Sequence, residues 1–187
     1  MNGLNHARTD GPSAWVERFA GLIPAGGAVL DLACGGGRHT RLLAGCGHPV
    51  EAVDRDAGAL AALAGLANVT VRQSDIEGGP WPYAERRFAG IVVTNYLHRP
   101  LFPHLMAALD EGGVLIYETF MQGNERFGRP SNPDFLLRPG ELLEAFGQAL
   151  HIVAFEQGEV VQSKPAVVQR LCAVKGAAVA IRLPGSV

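Results

Sequence analysis

The chain has 187 residues, 48% hydrophobic and 18% charged, with a formal net charge of −2; this length makes one domain with a sizeable core the simplest count, and the charge offers no general attraction to a polyanion, which disfavours nucleic acid as a partner. The three cysteines, Cys34, Cys46 and Cys172, have neither a close pairing nor a metal-ligand spacing, so no metal and a reduced, cytoplasmic setting are expected. Residues 1 to 11 lack the apolar core of a signal peptide, and no run of about 18 apolar residues suggests a membrane span.

Residues 1 to 11 read as a flexible N-terminal arm. Pro12 to Ile23 has helical spacing, with Trp15, Phe19, Leu22 and Ile23 on one side, and reads as a docking helix. Pro24-Ala-Gly-Gly27 turns the chain into a first strand, Ala28 to Leu32, which carries Asp31 near its end and breaks into Gly35-Gly-Gly37. Glycines there permit positive φ and close ligand approach, and the helix that follows presents unpaired N–H groups at its start. Gly35-x-Gly37-x-x-Thr40 is a loose version of the dinucleotide fingerprint, yet a carboxylate at Asp31 would repel a pyrophosphate and suits a cationic ligand.

The run Val29-Leu-Asp-Leu-Ala-Cys-Gly-Gly-Gly-Arg38 resembles the first motif of the class I S-adenosylmethionine-dependent methyltransferases: an apolar strand, an acidic residue and a Gly-x-Gly turn. The resemblance implies S-adenosylmethionine as cofactor, with Asp31, Ala33, Cys34, Gly35, Gly37 and Arg38 beside it. More narrowly, the run Gly-Arg-His-Thr-Arg-Leu-Leu is similar to small bacterial methyltransferases of the tellurite-resistance type.

A short helix from Arg38 to Ala44 leads to a second strand, Pro49 to Val53, followed at once by Asp54. Asp54 lies 19 residues beyond Gly35, close to the spacing at which an acidic residue of a βαβ nucleotide site meets ribose hydroxyls. Arg55 stands beside it, and Asp56 is the alternative two residues on. Ala57 to Leu66 is alanine-rich, with Leu60, Leu63 and Leu66 at helical spacing and expected to face a sheet. After a third strand, Val69 to Arg72, the resemblance puts an adenine-binding acid at Asp75, with Ile76 against the ring.

Phe88 to Thr94 forms the fourth strand, and its carboxyl end runs into Asn95-Tyr-Leu-His-Arg-Pro100. Ligands of open α/β sheets bind at the carboxyl ends of strands, so this loop should border the transferred methyl group, with Asn95 on the cofactor. By resemblance, Tyr96, His98 and Arg99 take catalytic or orienting roles. His98, with an unperturbed pKa of about 6.5, suits taking a proton from an attacking thiol, hydroxyl or amine; the alternative is a cap or brace for the next helix. Arg99 pairs either with a substrate carboxylate or with Asp110 or Glu111. The Asp/Asn-Pro-Pro-aromatic signature of many amino-directed methyltransferases is absent apart from Asn95 and Tyr96, which argues against a nucleobase or amide nitrogen as acceptor.

Leu101 to Leu109 reads as a helix ended by Asp110-Glu-Gly-Gly113, and Val114 to Phe120 as a fifth strand covered on both faces. Met121 to Pro139 is long for a connection and reads as a functional loop or lid. In it Arg126, Arg129 and Asn132, with Phe127 among them, suit an anionic or planar substrate; the alternative is an Ω-type loop whose arginines bond its own carbonyls. Pro139 to Leu150 is the last helix. His151 to Phe155 and Val167 to Val174 have no helix between them and should form an antiparallel hairpin, an ending that resembles the methyltransferase sheet.

The expected fold is a single-domain, Rossmann-like α/β methyltransferase domain over residues 12–175, followed by a tail over 176–187. Its mostly parallel seven-stranded sheet carries a C-terminal antiparallel hairpin and helices on both faces. The expected function is in-line transfer of the sulfonium methyl group to a small molecule, an anionic one included, by a monomer or homodimer. Two other readings stay open: an NAD-dependent oxidoreductase, and a non-catalytic protein that holds S-adenosylmethionine or docks a partner.

Overall fold

A computed structural model describes residues 11–161, 164–176 and 181–185. The seven strands are β1 (Val29–Leu32), β2 (Val50–Asp54), β3 (Val69–Gln73), β4 (Phe88–Thr94), β5 (Leu109–Phe120), β6 (Leu150–Val160) and β7 (Ala166–Lys175). They form one sheet in the order β3-β2-β1-β4-β5-β7-β6. The first five are parallel, and β7 runs antiparallel between β5 and β6.

The helices are α1 (Ala14–Ala20), α2 (Arg38–Gly45), α3 (Ala57–Ala61), α4 (Phe102–Ala108) and α5 (Glu141–Phe146). Side chains alternate across a strand, and the central strands divide accordingly between two cores. Val29, Val92, Val114, Ile116 and Cys172 pack with Trp15 and Phe19 of α1 and Leu43 of α2. Leu30, Ile91, Val93, Leu115 and Leu171 pack with Leu105 of α4 and Phe146 of α5. Burial on both faces explains why these strands read as nearly unbroken apolar runs, and each fully buried side chain contributes roughly 1.5 to 3 kcal/mol.

Caps set several helix starts. Ser13 Oγ accepts the Trp15 N–H at 3.1 Å, and Asp56 Oδ1 accepts from Gly58 and Ala59 at 2.8 and 3.2 Å. The alanine-rich helix is shorter than its leucine spacing suggests, because the chain leaves α3 after Ala61 and turns at Gly65, whose φ is +80°. Leu60 and Leu63 are buried as expected, whereas Leu66 is carried out to solvent. Asp110 to Gly113 do not end α4 but open β5, with a register irregularity opposite Phe88–Gly90.

The arm expected over 1–11 lies outside the described residues except for Gly11, and of the expected tail only Gly176 and residues 181–185 are described. No helix among the described residues is long and apolar enough to cross a membrane.

Candidate active site

The carboxyl ends of the parallel strands open into a cavity of about 340 Å³. Of the residues expected at a cofactor, it brings together Ala33, Asp54, Arg55, Asp75, Ile76 and Asn95, and Tyr96 joins them. Asp54 is aimed by backbone: its Oδ2 accepts the Gly35 N–H at 2.8 Å and its Oδ1 the Asp56 N–H at 2.9 Å. Each oxygen keeps a lone pair for one hydroxyl of a vicinal pair. Gly35 has φ +52°, and a Cβ there would meet nothing within 4 Å, so the space above the turn admits a ligand.

Asp75 closes an Asx-type turn, its Oδ1 accepting from Glu77 and Gly78 at 3.0 and 3.2 Å. The N–H groups of Gly78 and Glu77 hold this carboxyl below its usual pKa, and no protein group bonds its Oδ2 among the described residues. With Ile76, Leu97 and Phe135 as apolar walls, these groups fit an adenosine: a carboxylate for the ribose diol, a second acceptor for an exocyclic amino group, and flat apolar surface for the ring.

A second cavity, of about 510 Å³, adjoins the first, and Asn95 and Phe120 line both. Strand alternation explains the division. Thr119 lines the first cavity and Glu118 the second. Asn95, at φ +54°, ends β4 between them and donates its N–H to the Glu118 carbonyl at 2.9 Å. The second cavity is lined by Arg38, Arg129, Lys164 and Arg170 against one carboxylate, that of Glu118. Arg129 and Lys164 form no ion pair or hydrogen bond among the described residues. Four cations to one anion favour an anionic occupant.

Several expected site residues are occupied elsewhere. Asp31 lies beneath α2, 1% exposed, with Thr40 Oγ1 donating to it at 2.5 Å; burial pushes its pKa up to about 6 against the Thr40 hydrogen bond. It fastens β1 to α2 and lines neither cavity. Cys34 turns inward to pack with Ala52, Leu60 and Leu63, and burial pushes its thiol pKa upward. Gly37 is required by packing, since a Cβ would fall 2.2 Å from Leu63. Arg38 donates to the Gly11 carbonyl at 3.2 Å and lines the second cavity, not the cofactor's.

The β4 loop shows the same divergence. Tyr96 lines the first cavity, with its hydroxyl buried; burial, then the charge of Glu77, pushes the phenol pKa upward and keeps it a proton donor. His98 lines neither cavity, and its side chain does not cap the 3₁₀ turn Arg99–Leu101 that follows. Arg99 braces the following segment, and its partner is neither Asp110 nor Glu111. It grips the buried Glu141 carboxylate at 2.6 and 3.1 Å and the carbonyls of Asp134 and Leu136 at 2.8 and 3.0 Å. Burial pushes Glu141 up, but the Arg99 hydrogen bond and the Arg138 N–H outweigh it and hold the carboxyl below its usual value.

In the long loop each of the two expectations describes one arginine. Arg126 bonds the loop's own Gly123 carbonyl and pairs with Glu159 of β6, both at 3.0 Å, while Arg129 lines the second cavity. Asn132 is a cap, accepting the Asp134 N–H at 3.0 Å, and reaches neither cavity.

Sequence reading missed Glu118, Phe120, Lys164, Arg170 and the wall formed by Gly11 to Ala14. A signal for two of them was present: in a hairpin whose last strand lies antiparallel to β5, the β6–β7 turn must return to the carboxyl edge of the sheet. His39 was also missed. Its Nε2 accepts the Ser13 N–H at 3.0 Å, so the neutral ring carries its proton on Nδ1 and donates to Thr94 Oγ1 at 3.2 Å. Burial pushes its pKa down to about 3. This buried ring ties the Gly11–Ala14 wall to the end of β4.

A methyltransferase-domain family model matches residues 29–113, the stretch from β1 into β5 that supplies most of the first cavity. No curated protein matches the sequence. Among solved structures, TehB from Haemophilus influenzae superposes with a TM-score of 0.74 at 19% identity, over 91% of this chain and 64% of that one. The chain thus spans about two-thirds of TehB's length. A TehB-like SAM-dependent methyltransferase from Corynebacterium glutamicum gives 0.62 at 19% identity, over 87% and 88%. The glycopeptide N-methyltransferase MtfA bound to S-adenosylhomocysteine gives 0.63 at 20%, over 90% and 91%. Together with a sheet that ends in an antiparallel β7 between β5 and β6, these likenesses show that the chain has the fold of S-adenosylmethionine-dependent methyltransferases, and its residues 29–113 match a methyltransferase domain.

Proposed function

We propose that the chain transfers the methyl group of S-adenosylmethionine to a small anionic acceptor held in the 510 Å³ cavity. The observation that carries this reading is the junction of two unlike cavities at Asn95 and Phe120: one offers carboxylates to a nucleoside, the other offers cations. When bound, S-adenosylmethionine supplies an already activated methyl group. Asp54 and Asp75 hold its adenosine, Arg129 and Lys164 draw the acceptor's anion, and Asn95 and Phe120 set the border across which the two reactants meet. Fixing both partners in one geometry removes much of the entropic barrier of a bimolecular step.

The oxidoreductase reading is disfavoured by the strand order, because doubly wound dinucleotide folds run 3-2-1-4-5-6 without the inserted antiparallel strand. The non-catalytic reading is disfavoured by the open second cavity. Three unpaired cysteines, two of them buried, agree with a reducing cytoplasm. Calorimetric titration with S-adenosylhomocysteine, with NAD as control, tests the cofactor. Binding of the first and not the second is expected; the reverse would overturn the reading.

A further inference from the structure

Glu118 stands apart from every other charged group at the second cavity. It is the one carboxylate among the described residues that line it, and it is 7% exposed. Its Oε2 lies 2.6 Å from Arg170 Nε, yet neither atom has a hydrogen bond of acceptable alignment. Arg170 is shared with Glu156, 3.5 Å away. No protein group bonds Glu118 Oε1 among the described residues. The carboxylate is therefore held by the Arg170 charge at Oε2 while Oε1 keeps its lone pairs.

Its position gives that spare capacity a use. Glu118 is one residue from Thr119, which lines the cofactor cavity, and two from Phe120, which lines both. Its carbonyl is bonded by Asn95, the other residue shared between the cavities. Glu118 thus lines the same cavity as the border residues Asn95 and Phe120, and Arg129 and Lys164 line it as well. His98, which composition and position suggest as the base, lines neither cavity.

Building on the methyl-transfer reading, we infer that Glu118 is the general base and that the acceptor is a carboxylate bearing a hydroxyl or amine nucleophile. Glu118 Oε1 accepts the proton from the nucleophile as its lone pair forms the bond to the methyl carbon. The carbon–sulfur bond breaks with its electron pair left on sulfur, and the proton passes from Glu118 to solvent. The neighbouring cations fit this arrangement: Arg170 from β7 balances the carboxylate, while Arg129 from the long loop and Lys164 from the hairpin turn line the same cavity for the acceptor's anion.

The test uses the full chain with 4-hydroxybenzoate, 4-aminobenzoate and iodide as acceptors, S-adenosylhomocysteine release as the activity readout, and calorimetry with S-adenosylhomocysteine as a separate binding readout. One of the two benzoates should turn over. Glu118→Gln should then lower kcat about 100-fold or more, with KM and S-adenosylhomocysteine affinity within threefold of wild type. In Glu118→Ala, added formate should restore part of the lost turnover. Should Glu118→Gln fail to fold, Glu118→Asp keeps the charge beside Arg170 and withdraws its reach; a lower kcat with unchanged melting is expected.

Turnover of iodide alone, which has no proton to lose, would overturn the inference. So would turnover of none of the three by protein that binds S-adenosylhomocysteine, an unchanged kcat in Glu118→Gln, or a loss that formate does not repair. Absence of S-adenosylhomocysteine binding by the wild type would instead overturn the cofactor reading.

Discussion

The two cavities that meet at Asn95 are built in opposite ways. The first cavity, proposed for the cofactor, takes Asp54 from the last residue of β2 and Asp75 from just after β3, and backbone N–H groups two or three residues onward orient both. The second cavity, proposed for the acceptor, gathers Gly11 to Ala14, Arg38, Glu118, Arg129, Lys164 and Arg170 from six distant stretches, and its polarity sits on long side chains. Backbone-aimed carboxylates make a site that each βα unit carries with it. Side-chain cations make one that exists only when the whole sheet has closed.

Substitutions can break or sharpen that contrast. The largest effect is expected where the two regions share a support. Arg99 holds Glu141, Asp134 and Leu136, and so anchors the loop that contributes Pro130 and Phe135 to one cavity and Arg129 to the other. Arg99→Ala leaves the buried Glu141 without its main partner and should cost about 3 kcal/mol of stability, read by urea denaturation. It should also weaken S-adenosylhomocysteine binding and turnover together; loss of only one would mean the loop serves a single cavity.

Asp54→Ala should strike the cofactor cavity alone, costing about 2 kcal/mol or roughly 30-fold in S-adenosylhomocysteine affinity. Unchanged calorimetry would remove Asp54 from the site. Asp31→Asn should act on the fold without entering either cavity. The folded pKa of Asp31 is raised to about 6 by burial, above the ordinary value of 3.8. Its contribution is therefore present below about pH 4 and lost as pH rises through about 6. The variant should gain about 2 kcal/mol at pH 8 and nothing at pH 4, with S-adenosylhomocysteine affinity unchanged. A gain that is equal at both pH values would refute the assignment.

His39 opposes Asp31 over the same range. Its folded pKa is lowered to about 3, so its contribution is present above about 6.5 and lost as pH falls from there toward 3. The smallest effect is expected at Arg129, whose removal should raise the acceptor's KM about tenfold and leave cofactor binding and melting unmoved. A tenfold loss of S-adenosylhomocysteine affinity would place Arg129 in the wrong cavity.

The same division explains what the sequence made legible. Asp54 and Asp75 follow from strand ends, because a βα unit fixes how far an acid lies from its glycine turn. Asp31 and Gly37 fit the motif equally well but serve packing: the pattern reports a tight βα turn and does not say whether a carboxylate faces ligand or helix. Arg99 and Arg126 were ambiguous for a similar reason. Their partners Glu141 and Glu159 lie 42 and 33 residues away, farther than any local spacing reaches. Glu118 was hidden inside an apolar strand, where alternation assigns a face only after the neighbouring strands are known.

The left-handed Asn95 between the cavities also bears on the order of events in a catalytic cycle. The two cavities share only Asn95 and Phe120 among their lining residues, so the proposed cofactor and acceptor would each have a seat of its own. A ternary complex can then assemble. Initial-rate plots at several fixed concentrations of each reactant should intersect instead of running parallel, and the methylated product should exchange with fresh acceptor while the spent nucleoside is still in place.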